Sequence, residues 1–535
     1  MTAAWRRREV LALPGLLLLA AALRLPDLAT RGTWDADQGH DMLMLRALVR
    51  DGVIPLLGPP TSIGDVHHGA LYYFLLAPAA ALTGGDSPLA VVAWIALAGI
   101  AAVGVTWWLA RSIAGPVAGF VAGLAMAVSP AAVDESTFIW NPNLIALSSA
   151  VALAGAWRAW TTRRPGWWLA AAVGTAVTMQ CHVLGVTLLP VVGALLVADI
   201  RRRTDPLERR ELVRVGVWGV AIIALSFLPL VIHELTTNFS EGQAALAYLR
   251  AGGDPSAVAP IPRFLVVASR VVSWPLVGLI TTGLGAAALA IAGVVGVAAW
   301  RSLAAAGAER VAVRWLALGL AWTALALTVV SPSLANVVEG LPNDHYHAFA
   351  DPMVFVLVGI GAAASWRAVG RVTGGATSGG ATSGVTPGRL VAAIGVGAIV
   401  AWAVPHQPPT VASDGGFPAA AAAAARIEHT AALDDPIRIR SLPVFKTAEA
   451  YIYPLVRDGR LVVAAEPNNG APIAGSNLIV LCDSLFEQAI GRPCGGSAED
   501  AVAAGEGYGA ARDRFKAAPR QTISIYQAAQ GIVPP

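Results

Sequence analysis

The chain has 535 residues, of which 56% are hydrophobic and only 13% charged, whereas an ordinary soluble domain is about 45–50% apolar and about 25% charged. With a mean hydropathy of +0.62, this excludes a disordered chain, a soluble nucleic-acid binder and a cytosolic enzyme, and points to a polytopic membrane protein. The net charge of +3 is too small to argue for a polyanionic partner, so no nucleic acid is expected.

The N-terminus reads Trp5-Arg6-Arg7-Arg8 and then runs apolar to about Leu23. No small-x-small cleavage site follows, so the run reads as an uncleaved first transmembrane helix rather than a signal peptide. Apolar runs long enough to span a bilayer recur near 9–27, 87–110, 114–131, 142–158, 166–181, 183–199, 212–232, 273–299, 312–330, 349–366 and 389–405, eleven in all. With the N-terminus in the cytoplasm, nineteen arginines before residue 406 fall on inside segments and seven on outside ones, the asymmetry that the positive-inside rule requires.

The first outer loop, about 28–86, is long and acidic, and its segments 38–50 and 69–83 are too short or too polar to span but suit the membrane interface. A second long outer loop covers about 233–272, while the inside loops are mostly short, which puts the functional surface on the outer face. Residues 372–388 form a Gly/Ser/Thr-rich cytoplasmic linker within a transmembrane domain spanning 1–405. Residues 406–535 then form a polar region with strands at Leu461–Ala464 and Asn477–Leu481 and helical stretches at Ala419–His429 and Thr447–Arg457, the pattern of a small extracytoplasmic α/β domain. Three cysteines make no disulfide scaffold, but Cys482 and Cys494 share this hydrophilic segment and are expected to pair outside the cytoplasm. The segment Phe445–Tyr451 reads as an ordinary helix N-terminus rather than a ligand site.

Chemistry-bearing residues gather on the outer side. Asp35, Asp37, Gln38, His40 and Asp41 crowd together just after the first span, either as a hydrated helix cap or as a site. His67-His68-Gly69-Ala70-Leu71-Tyr72-Tyr73 follows in the same loop; alone, such a run is more often an interfacial belt. Asp134-Glu135 and Asn141-Pro142-Asn143 follow the third span, and Gln180-Cys181-His182 marks an outer turn in a stretch so apolar that polar groups need a cavity or a partner. His345-Tyr346-His347 precedes the tenth span.

An acidic motif after the first span, followed some thirty residues on by a His/Pro-Leu-Tyr-Tyr-like motif, resembles the GT-C glycosyltransferases over roughly residues 9–370, in the branch of the protein O-mannosyltransferases and aminoarabinose–lipid A transferases. The resemblance implies an all-α polytopic membrane protein of the GT-C type, about eleven transmembrane helices with interfacial helices in the first outer loop and the small C-terminal α/β domain. It implies a polyprenyl-phosphate-linked sugar as donor, and a protein, glycan or lipid hydroxyl as acceptor. The family's Asp-Glu pair, whose Asp is essential to catalysis, corresponds to Asp37-Gln38, so the Asp is kept and the Glu replaced by Gln. An acidic residue expected near the start of the fourth span is either replaced by Asn141 or supplied by Asp134 and Glu135.

On this reading Asp37 is the general base. Asp35, Gln38, His67, His68, Asp134, Glu135, Asn141, Gln180 and His182 line the substrate, and Arg263, His345, Tyr346 and His347 face the lipid phosphate. One base and no covalent nucleophile imply inversion at the anomeric carbon. No certain cofactor follows; a divalent metal is compatible with the carboxylates, but the scattered histidines assemble no closed site from spacing alone. The Arg-rich, Lys-poor composition suits a high-GC bacterium and hence a bacterial plasma membrane. A transporter or flippase, or a non-catalytic polyprenyl-binding protein, is the competing class; no internal repeat of the kind many transporters carry supports it.

Overall fold

The computed structural model describes residues 3–61, 66–251, 258–278, 283–336, 345–368, 386–430, 436–444, 446–464 and 476–527. In chain order the membrane part contains α1 (Ala3–Arg24), α2 (Ala36–Arg50), α3 (Leu71–Ala81), α4 (Pro88–Ala114), α5 (Pro116–Val128), α6 (Pro130–Asp134), α7 (Ile145–Thr162), α8 (Trp167–Cys181) and α9 (Leu188–Arg202). It continues with α10 (Pro206–Ser226), α11 (Leu228–Thr236), α12 (Ser240–Arg250), α13 (Pro260–Val277), α14 (Leu284–Ala304), α15 (Gly307–Val330), α16 (Asp351–Arg367) and α17 (Pro387–Ala403). Proline stands in the first turn of α4, α5, α6, α10, α11, α13, α16 and α17, where its missing N–H costs nothing and its fixed φ is already helical.

The expected apolar runs fall on helical segments, several of them on two successive helices, and the count of eleven spans is not confirmed. Seven helices among the described residues, or eight when α10 and α11 are one span bent by 47°, are long and apolar enough to cross a membrane. The apolar part of α1 (Leu11–Arg24), α5 and α8 are shorter; a 13-residue helix such as α5 reaches only about 20 Å, against a hydrocarbon core of about 30 Å. The run 273–299 is also corrected. Pro275 lies inside α13, Gly278 ends that helix at φ +76°, and a separate helix begins at Leu284. Hydropathy averaged through these two breakers and so merged the end of one helix with the next. Most of the linker, 372–385, lies outside the described residues.

Small residues set how closely the helices pack, as lipid offers no hydrophobic drive for their association. A Cβ on Gly174 of α8 would lie 2.5 Å from Ala152 N and Ser148 O of α7. At the end of α1, the fully buried Arg24 donates to the carbonyls of Ala127 (2.8 Å), Met126 (3.1 Å) and Ala132 (3.3 Å). It thereby satisfies carbonyls at the C-terminal end of α5 that the helix leaves unpaired.

The C-terminal part contains α18 (Gly416–Thr430), β1 (Ile437–Leu442), α19 (Glu449–Arg457), β2 (Val462–Ala464), β3 (Asn477–Asp483), α20 (Glu487–Ile490), α21 (Ser497–Gly505), β4 (Asp513–Ala518) and β5 (Gln521–Gln527). The sheet order is β2-β1-β3-β5-β4, parallel across β2-β1-β3 and antiparallel across β3-β5-β4. All seven residues of the central β3 are buried, as a strand covered on both faces requires. Cys482 at its end is disulfide-bonded to Cys494. This part sits on the long loop between α1 and α4. Trp34 Nε1 donates to the Ala450 carbonyl (2.9 Å), Tyr453 Oη to the Gly85 carbonyl (3.0 Å), and Trp34 packs edge-on to Phe417. The helix α2 is therefore held between α3 and α19 rather than lying alone in the interface, with Gln38, Gly39, Asp41, Met42 and Leu45 buried.

Candidate active site

The acidic loop after α1 reverses at Gly32 (φ +78°), where a Cβ would strike the Thr137 carbonyl, and enters α2 at Asp35. The turn distributes the carboxylates to different tasks. Asp35, the N-cap, takes an ion pair from Lys446 Nζ (3.0 Å) and a longer hydrogen bond from Gln521 Nε2 (3.4 Å). Asp41 is buried and accepts from Tyr72 Oη (2.8 Å) and Tyr73 Oη (3.0 Å), which explains the tyrosine pair. Burial pushes the Asp41 carboxyl up to about 7, although His40 and the two phenols pull it back. Asp37 is different. It is exposed, in the first turn of α2, and no described residue donates to its carboxylate.

Loss of solvent, then the charges of Asp35 and Glu449, raise the Asp37 pKa against the opposing pull of Lys446 and His40. His40 Nδ1 pairs with Glu449 Oε1 at 2.8 Å. Burial opposes the charged imidazole, but Glu449, Asp41 and Asp37 outweigh it and raise the His40 pKa. Gln38 is buried; its Oε1 accepts from Asp35 N (2.8 Å) and its Nε2 donates to the Ile139 carbonyl (2.8 Å).

A second cluster lies where the loops near residues 68, 141, 182 and 346 meet. His68 and His182 rings stand 4.6 Å apart, His182 stacks on Tyr346 at 4.7 Å, and Tyr346 meets Trp140 at 5.7 Å. Gln180 accepts weakly from Leu71 N (3.4 Å) and donates to Ser226 Oγ (3.3 Å), while Asn141 Nδ2 is committed to the Cys181 carbonyl (2.5 Å). His67 turns away and binds Glu241 of α12 through both its backbone N (2.7 Å) and Nδ1 (2.9 Å).

Asp134 and Glu135 form the third group, at the end of α6. Burial, then Glu135, push Asp134 up to about 7 against Arg31 and His345. His345 lies between Glu135 (3.4 Å) and Asp351 (3.2 Å). Burial alone would lower its pKa, but the two carboxylates push it up to about 10. Arg263 donates to its own loop at Val258 O (2.8 Å). No hydrogen bond or ion pair among the described residues joins Asp37 to Asp134, Glu135, His182 or His345, and Gln38 links the first loop to Ile139. A cavity of about 290 Å³ behind the first loop is lined by Arg31, Trp34, Val92, Phe138 and Phe417 among others; none of the candidate carboxylates faces it.

Several contributors escaped the sequence reading. Lys446, Glu449 and Gln521 come from the C-terminal part, and Phe445–Tyr451, read as a helix N-terminus, does start α19 while also delivering Lys446 and Glu449 to the first loop; Phe445 itself lies outside the described residues. The one available signal was that Lys446 is one of only two lysines in the chain.

The family model described as dolichyl-phosphate-mannose-protein mannosyltransferase matches residues 67–233. The structure is similar to that of ArnT from Cupriavidus metallidurans bound to undecaprenyl phosphate, at TM-score 0.50 and 15% identity over 100% of both chains. It is also similar to an apo oligosaccharyltransferase from Archaeoglobus fulgidus, at TM-score 0.52 and 13% identity over 98% of this chain and 75% of that one. The chain has a GT-C fold. Comparison with curated proteins gives no match. The GT-C fold and the apolar helices make this a multi-pass membrane protein in which α2 and α3 are packed between the helix bundle and the C-terminal part.

Proposed function

We propose that the protein is an integral membrane glycosyltransferase. It moves a sugar from a polyprenyl-phosphate donor to an acceptor hydroxyl outside the cytoplasm, with inversion and with Asp37 as general base. The observation that carries this reading is the division of labour in the acidic loop. Asp35 is tied to Lys446 and Gln521 and Asp41 to two tyrosines, whereas Asp37, exposed in the first turn of α2, takes no hydrogen bond from any described residue. The GT-C fold supports it, as does the undecaprenyl phosphate bound by the Cupriavidus relative.

In the step envisaged, the acceptor oxygen attacks the anomeric carbon while its proton passes to Asp37. The bond from that carbon to the phosphate oxygen breaks, and the phosphate leaves with the electron pair. A lipid donor stays in the bilayer, so the site must open sideways to it. Tyr346, half-buried beside His182 and His68, is the proposed donor to the leaving phosphate. His345 and His347 suit this role less well than the sequence suggested, because Glu135 and Asp351 flank His345 and repel an anion. On this reading Asp134 holds sugar hydroxyls. The arginine asymmetry and the Cys482–Cys494 disulfide favour a cytoplasmic N-terminus and an extracytoplasmic C-terminal part in a bacterial plasma membrane.

The test is release of free polyprenyl phosphate from a panel of polyprenyl-phosphate sugars by the purified protein. One donor is expected to be consumed, and Asp37→Asn to slow turnover by about 10²–10⁴-fold. The substitution preserves volume, so near-normal turnover in a folded Asp37→Asn protein removes the assignment.

A further inference from the structure

The turn leading into α16 carries side chains that the polypeptide leaves incomplete. His345, His347 and Asp351 are each no more than 2% exposed, and one ligand atom from each lies within 4.8 Å of the others. His345 Nε2 stands 3.2 Å from the Asp351 carboxylate, and its Nδ1 3.4 Å from Glu135 Oε1. Among the described residues, neither ring nitrogen of His347 has a hydrogen-bond partner, and Glu135 Oε2 has none either. A buried polar atom left unmet is costly, and native chains seldom keep one unless something outside the polypeptide meets it.

We propose that His345, His347 and Asp351 bind one divalent transition-metal ion of the zinc class, with Glu135 orienting His345 from behind. Two ligands on a tetrahedral zinc, each about 2.0–2.1 Å from the ion, are about 3.3 Å apart; the His345–Asp351 separation of 3.2 Å already has that value. Two imidazoles and a carboxylate disfavour calcium and magnesium, which prefer oxygen alone, and copper(I), which prefers thiolate or thioether sulfur. Glu135 Oε1 stands 3.4 Å from His345 Nδ1, on the side from which carboxylates orient histidine ligands at such sites. Asp351 and Glu135 supply two negative charges for the two positive charges of the ion. Trp274 walls the group at 5.1 Å from His345 and 5.6 Å from His347, and Arg270, on the same indole, is anchored on the Leu334 carbonyl. Bound there, the ion fastens the end of α6 to the start of α16 and fixes the turn that presents Tyr346.

The experiment uses the full chain in detergent, treated with chelator and titrated with zinc or cobalt(II). One equivalent per chain by elemental analysis is expected, with visible absorption from bound cobalt that zinc displaces, and a higher unfolding temperature on loading. His347→Phe, of similar volume but without nitrogens, should lose the equivalent and the thermal gain; Asp37→Asn should keep both, which separates this site from the acidic loop. No stoichiometric uptake of either ion by the wild-type chain overturns the proposal. So does equal uptake by His347→Phe, or a His347→Phe protein more stable than the zinc-treated wild type, since that is the result of deleting an imidazole with no partner.

Discussion

At the scale of single residues, Gln38 shows why a departure from the expected Asp-Glu pair is coherent. Its Nε2 donates to the Ile139 carbonyl and its Oε1 accepts from Asp35 N, both in a buried position. A glutamate can accept the second bond but would set an oxygen against the Ile139 carbonyl, so the amide is the side chain that this packing requires. Lys446 acts on Asp37 through charge. Its ammonium lowers the Asp37 pKa, so Lys446→Gln should raise that pKa further, and the acid limb of the pH–rate profile should move to higher pH because the base works only when deprotonated. An unchanged or acid-shifted limb would sever the link between the two residues. Asp41 gives a pH dependence of stability. Its folded pKa, about 7, lies above its unfolded value, so the folded state binds the extra proton and stability falls as pH rises through about 4–7. Asp41→Asn should flatten that decline and raise the unfolding temperature at pH 8; a lower one at pH 8 would mean that the carboxylate is needed charged. Sequence exposed the acidic crowd but not this partition, because which carboxylate stays free depends on tyrosines from α3 and a lysine from the far end of the chain.

At the scale of elements, the contact between α2 and α19 has a sharp test. A Cβ on Gly39 would collide with the Glu449 carbonyl and lie 2.5 Å from Ala450 N. In a free helix Gly→Ala gains about 1 kcal/mol, whereas overpacking costs about 1–3 kcal/mol. Gly39→Ala should therefore destabilise the protein and open α19 to proteolysis; thermal unfolding that instead shows a gain would mean the two helices are not in this contact. The helices themselves were legible, since period and length of apolar runs survive averaging. Their ends were not, where Pro275 and Gly278 divide one run and a bend follows Ser226 in another. In the C-terminal part β2 and β3 were visible as apolar runs. The strands β1, β4 and β5 were missed, although Thr522–Tyr526 alternates by twos; Arg438 in β1 is buried against Tyr508 and Glu506, so its charge concealed an interior strand.

For the whole molecule, hydropathy made the membrane class readable, since it is a sum over many residues, and the ordered motifs at Asp37-Gln38 and His67–Tyr73 carried the GT-C resemblance. The neighbourhoods of the site were not readable, since they join residues from loops hundreds of positions apart. Spacing alone could not bring Glu135 to His345, a contact that closes only when α6, α13 and α16 pack together. The same separation has a consequence for how the protein is made. Asp35 and Lys446 are 411 residues apart, and the Glu449 and Gln521 partners of the acidic loop come from the same late stretch of chain. A ribosome therefore delivers the first loop long before the segment that completes its surroundings, and almost every helix must be in the bilayer before the two meet. The growing polypeptide lacks Lys446 beside Asp35 and Asp37 until synthesis is nearly over, which makes the finished acidic centre one of the last features to form during biogenesis.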